Sequence, residues 1–421
     1  MSPVPQRPLD RLRPLLTGRW AVVGGFAIAA LALFVVAPLA LSDFRLGLLG
    51  KYLCYAMVAV GIGLAWGRGG MLTLGQGVFF GLGAYMMAFH LKLADAGDGE
   101  VPDFMALISS DGVPWWWEPF RSGIVTILAI LLVPAALAGL LGLATFRRKI
   151  RGAYFAILSQ ALAAAFAIVL IGNPKATGGS TGLNNFRGFF GFALNDAANR
   201  RMLFFICSGA LLVMVAVARQ LMVSRYGELL VACRDAEERV RFLGYDPANI
   251  KTVAFMVAAG MASVAGAMFV PIVGIVSPND VGVVPSIGLL IGVAIGGRTT
   301  LLGPALGAIG VAWAGSTLSE EFPSAWTYLQ GLLFMLVIAF LPDGLASLGG
   351  LVRSLRGSGP AAAPDSTPDS TPDSTPDSTP DGPEGGPEAP DGITAGTTPP
   401  DEKPGHAHDP VSAATRSGGS E

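Results

Sequence analysis

The most regular spacing of chemically active side chains occurs between Glu228 and Leu243. Charges of opposite sign stand four residues apart there, a spacing that places both partners on one helix face. The apolar residues step by three or four, so they form a second face. We predict one amphipathic helix over 228–243, with Gly244 as its C-terminal cap and Asp246-Pro247 starting the next helix. The charged pairs are Arg234/Glu238, Asp235/Arg239 and Glu237/Arg241, and the apolar stripe is Leu229, Cys233, Ala236, Val240 and Leu243.

This charge-balanced face suits a protein partner. It carries three arginines against four acidic residues, counting Glu228. A helix that lies on lipid headgroups is usually rich in Lys and Arg on its polar face, and that remains the alternative interpretation. A narrow apolar stripe between balanced charges favours a groove on another protein.

The sequence lacks common motifs for phosphate binding and catalysis. It contains no Gly-x-x-x-x-Gly-Lys-Ser/Thr loop, no Gly-x-Ser-x-Gly elbow and no His-Glu-x-x-His. We therefore predict no catalytic residue, no metal site and no cofactor bound by this chain. The three cysteines, Cys54, Cys207 and Cys233, are predicted to be buried core residues.

Composition separates a membrane body from an acidic tail. The chain is 52% hydrophobic and only 14% charged, with a mean hydropathy of +0.56. Residues 1–356 carry a net charge of +8 and residues 357–421 one of −10. These values exclude a single soluble domain, a disulfide-stapled secreted protein and a nucleic-acid binder. The tail repeats Pro-Asp-Ser-Thr and holds no Phe, Trp, Tyr or Leu, so we predict that it is disordered.

Apolar runs long enough to cross a bilayer recur along the body. We predict an all-α integral membrane protein with about ten transmembrane helices and both termini in the cytoplasm, because Lys and Arg concentrate in alternate loops. The domains are a cytoplasmic arm (1–19), a transmembrane domain (20–350) with a cytoplasmic loop at 224–251, and a disordered tail (351–421). An alternative has eight or nine spans and a re-entrant segment near 288–297. The predicted spans are 20–42, 46–66, 71–92, 123–146, 152–172, 202–222, 251–275, 284–296, 301–317 and 327–349.

Several motifs resemble one transporter family. The segments Trp66–Gln76, Gly77–Tyr85, Arg234–Asp246 with Lys251, and Gly296–Ala308 are similar to those of branched-chain amino-acid type ABC importer permeases. Five further segments look like the second permease of the urea importers in that family: Pro102–Met105, Val113–Phe120, Thr177–Leu183, Val270–Pro278 and Ser319–Pro323. Gln76 and Gly288 depart from that subgroup, where His and Glu are frequent, and both departures bear on the cargo.

The resemblance implies a permease subunit in the bacterial plasma membrane. Its implied partners are a second homologous permease, two ATPase subunits that bind ATP and Mg²⁺, and an extracytoplasmic substrate-binding protein. The helix over 228–243 would then couple ATP hydrolysis to the spans. Urea, as the expected cargo, needs hydrogen-bonding groups along its path. The candidates are Thr73, Gln76, Thr177, Ser180, Thr181 and Asn184.

Two other functions compete with urea import. One is a permease of the same ABC importer class whose cargo is a branched-chain amino acid. The other is an ATP-independent channel or secondary carrier, which would have no use for a charge-balanced cytoplasmic helix between the sixth and seventh spans.

Overall fold

The computed structural model describes residues 19–321 apart from 98–99, 109–111, 151 and 299, together with 328–329, 331–332 and 335. The predicted tail (351–421) lies outside the described residues, as do the N-terminal arm except Arg19 and most of the predicted tenth span, 327–349.

The described part of the chain is mainly helical. The longer helices are α1 (Arg19–Leu31), α3 (Asp43–Ile62), α4 (Gln76–Ala96), α6 (Gly123–Phe146), α7 (Ala153–Gly172), α9 (Ala197–Val223), α10 (Arg225–Asp235), α12 (Pro247–Val273), α14 (Val283–Gly296) and α15 (Gly303–Glu321). The shorter helices are α2 (Ala37–Ala40), α5 (Asp103–Ile108), α8 (Pro174–Thr177), α11 (Glu237–Phe242) and α13 (Pro278–Val281). π-Helical turns at Ala32–Val36 and Gly63–Arg68 extend α1 and α3.

Among the residues that the structure describes, seven helical segments are long and apolar enough to cross a membrane, and they coincide with the first seven predicted spans. They are Val23–Ala40, Asp43–Arg68, Gln76–Ala96, Gly123–Phe146, Ala153–Gly172, Ala197–Val223 and Pro247–Val273. The prediction of a multi-pass helical membrane protein is confirmed. The eighth predicted span is α14, whose 14 residues reach only about 21 Å, less than a bilayer core of about 30 Å. The ninth is α15, a helix of 19 residues.

Helix α12 lies at the centre of the helical packing, against α3, α4 and α6. Small residues allow the backbones to approach: a side chain at Gly266 would overlap the Phe80 carbonyl, and one at Gly83 would overlap the Ser263 carbonyl. The Ser263 hydroxyl donates to the Ile130 carbonyl of α6 at 2.6 Å. In contrast, α6 leaves Ile124, Leu132 and Leu140 exposed, as expected for a helix at the lipid boundary.

All three cysteines are free and buried, as predicted. Cys54 of α3 and Cys207 of α9 lie with their sulfur atoms 3.7 Å apart, and Cys233 is buried in α10.

Within the described residues, two short antiparallel strand pairs lie outside the main helices. The β1 strand (Leu183–Asn184) pairs with β4 (Ile275–Val276), and β2 (Gly188–Phe189) pairs with β3 (Phe192–Ala193). The first pair holds the segment after α8 against the chain that links α12 to α13. Gly182 is required there because its φ is +73° and a side chain would overlap the Val276 carbonyl.

Candidate functional site

The predicted helix over 228–243 is wrong in one respect, because the chain breaks at Ala236. There φ is −147° and ψ is 63°, so α10 ends at Asp235 and α11 begins at Glu237. The predicted boundaries on the far side are confirmed. Gly244 follows α11 with a φ of +86°, and the Asp246 carboxylate accepts from the Ala248 amide at 3.0 Å to cap α12.

The break divides the predicted apolar stripe, so it does not form one docking face. Cys233 and Val240 point into this chain's own fold and are 1% and 3% exposed. Leu229 and Ala236 are half-buried, whereas Leu243 is 74% exposed. The 3.6-residue period identified an apolar side of the loop, but this chain's own helices cover much of that side. Glu228 and Arg239 are exposed on α10 and α11.

Arg234 attaches α10 to the end of a membrane span. Its Nη1 donates to the Gly67 carbonyl at 2.6 Å, and its Nε donates to Asp235 at 2.7 Å. The hydrogen bond from Arg234 holds the pKa of the Asp235 carboxyl below its ordinary value. Gly70, with a φ of +67°, passes directly beneath the Arg234 side chain, where any side chain would collide with it. Arg234 therefore connects the loop to the π-helical turn that extends α3.

Glu237 links α11 to α12. Its carboxylate accepts from Arg241 at 3.0 Å, which confirms that predicted pair, and from Lys251 at 2.7 Å. The Tyr226 hydroxyl makes a second link by donating to the Ile250 carbonyl at 2.6 Å. Cys233 lies among these contacts, and burial, with a smaller effect of Glu237, raises the pKa of its thiol. The loop is thus held to the ends of the spans at several points.

An apolar tip, which we define as Phe242, Leu243 and Tyr245, projects from this anchored loop. These side chains are 90%, 74% and 51% exposed. A cleft of about 390 Å³ lies beside the tip, where the end of α6 meets the start of α12, and its lining includes Arg147, Arg241 and Asp246. Exposed large apolar side chains grouped in this way mark a surface that interacts with a protein or a membrane.

The predicted path residues do not form one cluster. Thr73 and Gln76 are buried at the start of α4, where the neighbouring Leu74 amide donates to Ser159 of α7 at 3.0 Å. The Thr177 hydroxyl instead donates to the Leu170 carbonyl at 2.6 Å, at the other end of α7. Ser159 and Leu170 are eleven residues apart, which is about 16 Å along a helix.

Only one of the two groups has the features of a solute contact. Both amide atoms of Gln76 are buried and have no hydrogen-bond partner among the residues that the structure describes. A buried amide without a partner is costly and calls for a ligand or a bound water. In the other group, the Thr177 hydroxyl already donates to the Leu170 carbonyl at the end of α7. Ser180, Thr181 and Asn184 are exposed, with Asn184 paired to Ile275 in the strand ladder.

Sequence reasoning missed Asp280. It follows α12 in a stretch that we read as a connection between spans, so its charge attracted no attention. In the structure it lines a cavity with Tyr55 and Gly288, the second of which departs from the urea subgroup. The available signal was that Asp280 is the single charged residue in the segment Val270–Gly296.

In the part of the chain that the structure describes, seven helices long enough to cross a membrane and the loop anchored to their ends fit a multi-pass membrane protein. The family model described as "Branched-chain amino acid transport system / permease component" matches residues 44–341. The chain belongs to this family of ABC transporter permeases. Permease components of ABC importers work with other permease and ATPase subunits.

Named relatives agree with the family. The chain is 27% identical to the high-affinity branched-chain amino acid transport system permease protein LivM of Escherichia coli, over 76% of this chain and 74% of LivM. It is 26% identical to LivM of Salmonella typhimurium over the same shares, and 23% identical to BraD of Pseudomonas aeruginosa, over 69% of this chain and 91% of BraD. No solved structure gives a significant match. The expected urea cargo gains no support from these relatives, whose names match the amino-acid alternative better.

Proposed function

We propose that this chain is a pore-forming subunit of an ATP-driven importer for branched-chain amino acids. It pairs with a second homologous permease, two ATPase subunits dock beneath the pair, and an extracytoplasmic binding protein delivers the cargo. The names of the relatives support the amino-acid cargo. The motifs shared with the urea subgroup make urea the second candidate.

The loop geometry is the observation that carries the importer role. A passive channel or a carrier working alone has no need for an exposed apolar tip on an anchored cytoplasmic loop. The tip of Phe242, Leu243 and Tyr245 is the surface that we assign to the ATPase, in place of the stripe through Cys233 and Val240. Movement of the docked ATPase would reach α3 through the bond from Arg234 to the Gly67 carbonyl, and α12 through Glu237 and Lys251.

Uptake by intact cells tests both the class and the cargo. The gene is deleted and restored, and uptake of radiolabelled leucine and of radiolabelled urea is measured with and without depletion of cellular ATP. We expect ATP-dependent leucine uptake to be lost on deletion and restored by the gene. Loss of urea uptake alone would retain the importer class and change the cargo. Uptake that survives ATP depletion would contradict the importer role.

A further inference from the structure

Asp280 lies within the membrane-embedded part of the fold. It belongs to α13, which packs against α4 and α7 inside the helical bundle. The Val281 carbonyl comes so close to Gly77 of α4 that any side chain at Gly77 would overlap it. At the start of α14, the Ser286 hydroxyl accepts from the Gly77 amide at 3.1 Å. The segment from β4 to α14 therefore enters the bundle as a discontinuous span.

The cavity that Asp280 lines reaches the middle of a candidate membrane span. Tyr55, which lines the same cavity, stands halfway along the 26-residue span Asp43–Arg68. An aspartate that lines a cavity inside a transmembrane bundle is rare and is usually retained for function. Broken helices at mid-membrane are where transporters commonly place their cargo sites.

The local hydrogen bonds of Asp280 leave part of the carboxylate available. The Ser277 amide and hydroxyl both donate to the same oxygen, Oδ2, at 2.9 and 2.8 Å, and close a capping box on α13. A carboxylate has two oxygens and about four acceptor positions. The Oδ1 oxygen can therefore accept from a solute without disrupting the cap.

The cavity has two chemically distinct walls. One combines the Asp280 carboxylate with Tyr55 and Phe80, whose rings belong to a cluster completed by Phe269; the Tyr55 and Phe80 ring centroids are 6.4 Å apart. A carboxylate beside aromatic faces attracts a cationic amine. The other wall is apolar and comes from α14 and α15: Pro285, Leu289, Ala308, Val311 and Ala312. The volume is about 230 Å³, several times the roughly 30 Å³ of one water molecule.

We propose that this cavity is a cargo-binding site in which Asp280 accepts hydrogen bonds from the ammonium group of an aliphatic amino acid. The apolar wall from α14 and α15 takes the side chain of the cargo. This inference rests on the proposed importer function and deepens it, since it names a residue that selects for an amine. Urea could donate to the same carboxylate but has no aliphatic part for the apolar wall.

The test uses the complete transporter, with its ATPases and binding protein, in proteoliposomes. Uptake of radiolabelled leucine and binding-protein-stimulated ATP hydrolysis are measured together. Asp280→Asn keeps an acceptor for Ser277 but removes the charge. We expect it to lower leucine uptake about 10- to 100-fold, as for loss of a charged hydrogen bond, while ATP hydrolysis continues. Asp280→Glu, which keeps a carboxylate, should recover part of the uptake.

Ser277→Ala is the matched control, because it removes one bond to Oδ2 and leaves the charge in place. We expect its leucine uptake to stay within about threefold of the wild type, since the Ser277 amide still donates to Oδ2 and the charge that would meet the cargo is kept. Equal losses in Ser277→Ala and Asp280→Asn would show that Asp280 only caps α13, and would overturn the site. Normal uptake by Asp280→Asn would overturn it as well. Failure of the wild-type complex to take up leucine would instead contradict the proposed cargo.

Discussion

Arg234 and Gly67 connect the loop that holds α10 and α11 to a membrane span: the guanidinium Nη1 donates to the Gly67 carbonyl at 2.6 Å, although 167 positions separate the two residues in the chain. Gly67 lies in the π-helical turn that ends the span Asp43–Arg68. The contact gives the loop a direct mechanical link to α3.

Replacing Arg234 by Ala should weaken the coupling between ATP hydrolysis and the spans without dissociating the ATPase from the permease. Loss of a hydrogen bond from a charged donor costs about 1.5 kcal/mol at a partly exposed site, which shifts the anchoring equilibrium about tenfold. We expect binding-protein-stimulated ATP hydrolysis to fall severalfold while the ATPase still co-purifies. Arg239→Ala, at an exposed arginine on α11, is the control and should retain stimulation. Loss of stimulation in both variants would argue against the Gly67 link.

A charge placed on the apolar tip should prevent docking. Leu243→Asp puts a carboxylate where the proposed interface is apolar, and an unpaired buried charge costs several kcal/mol. We expect recovery of the ATPase in a detergent pull-down to fall by at least about tenfold. Asn249→Asp adds the same charge at an exposed polar position of α12 and should bind normally. Full recovery with Leu243→Asp would remove the tip from the interface.

The ion pair between Glu237 and Lys251 should stabilise the loop. Both side chains are about nine-tenths buried, at 10% and 12% exposure, and Glu237 keeps its ion pair with Arg241 when Lys251 is removed. We expect Lys251→Met to lower the free energy of unfolding by about 2 kcal/mol, the cost of one hydrogen bond between charged groups. Thermal unfolding in detergent measures this loss. The double variant Glu237→Gln/Lys251→Met should recover part of it, and an equal loss in the double variant would show that charge burial is not the cause.

We expect the buried thiol of Cys233 to react slowly with maleimide and to need a higher pH than an exposed thiol. Its pKa is raised because burial disfavours the thiolate, so the folded state holds the proton more tightly than the unfolded state. The resulting stabilisation is present below the ordinary thiol pKa of about 8.5 and is lost as the pH rises through the raised value. Maleimide labelling is compared in two chains that both carry Cys54→Ala and Cys207→Ala. The first chain keeps Cys233, and the second carries Leu243→Cys and Cys233→Ala. Cys233 should be labelled more slowly than the cysteine at position 243. Equal rates from pH 7 to 9 would contradict burial.

The predicted orientation places Leu243 inside the cell and Glu100 outside. In a chain whose native cysteines are all replaced by alanine, Glu100→Cys should react with an impermeant maleimide in intact cells. Leu243→Cys should react only after permeabilisation, because the positive-inside rule assigns its Arg-rich loop to the cytoplasm. The reversed pattern would overturn the orientation.

The sequence alone was sufficient to predict the membrane class, seven of the spans and the amphipathic loop between the sixth and seventh spans. These follow from hydropathy, charge asymmetry and capping residues such as Gly244 and Asp246, which act over a few neighbouring residues. Family membership also followed from local motifs. The cargo did not, because the urea-like segments are distributed through loops as well as spans.

Only the tertiary structure decided which side of the loop this chain itself covers and which side chains stay exposed. A 3.6-residue period shows that Cys233 and Val240 share the apolar side of the loop, but it cannot say whether lipid, an ATPase or this chain's own spans cover that side. The break at Ala236 turns them inward and leaves Leu243 outside. Likewise, the sequence places Asp280 in a connection between two spans. Only the contact of α13 with Gly77 shows that it lies within the helical bundle. Burial depends on contacts between residues far apart in the chain, and local periodicity carries no information about those contacts.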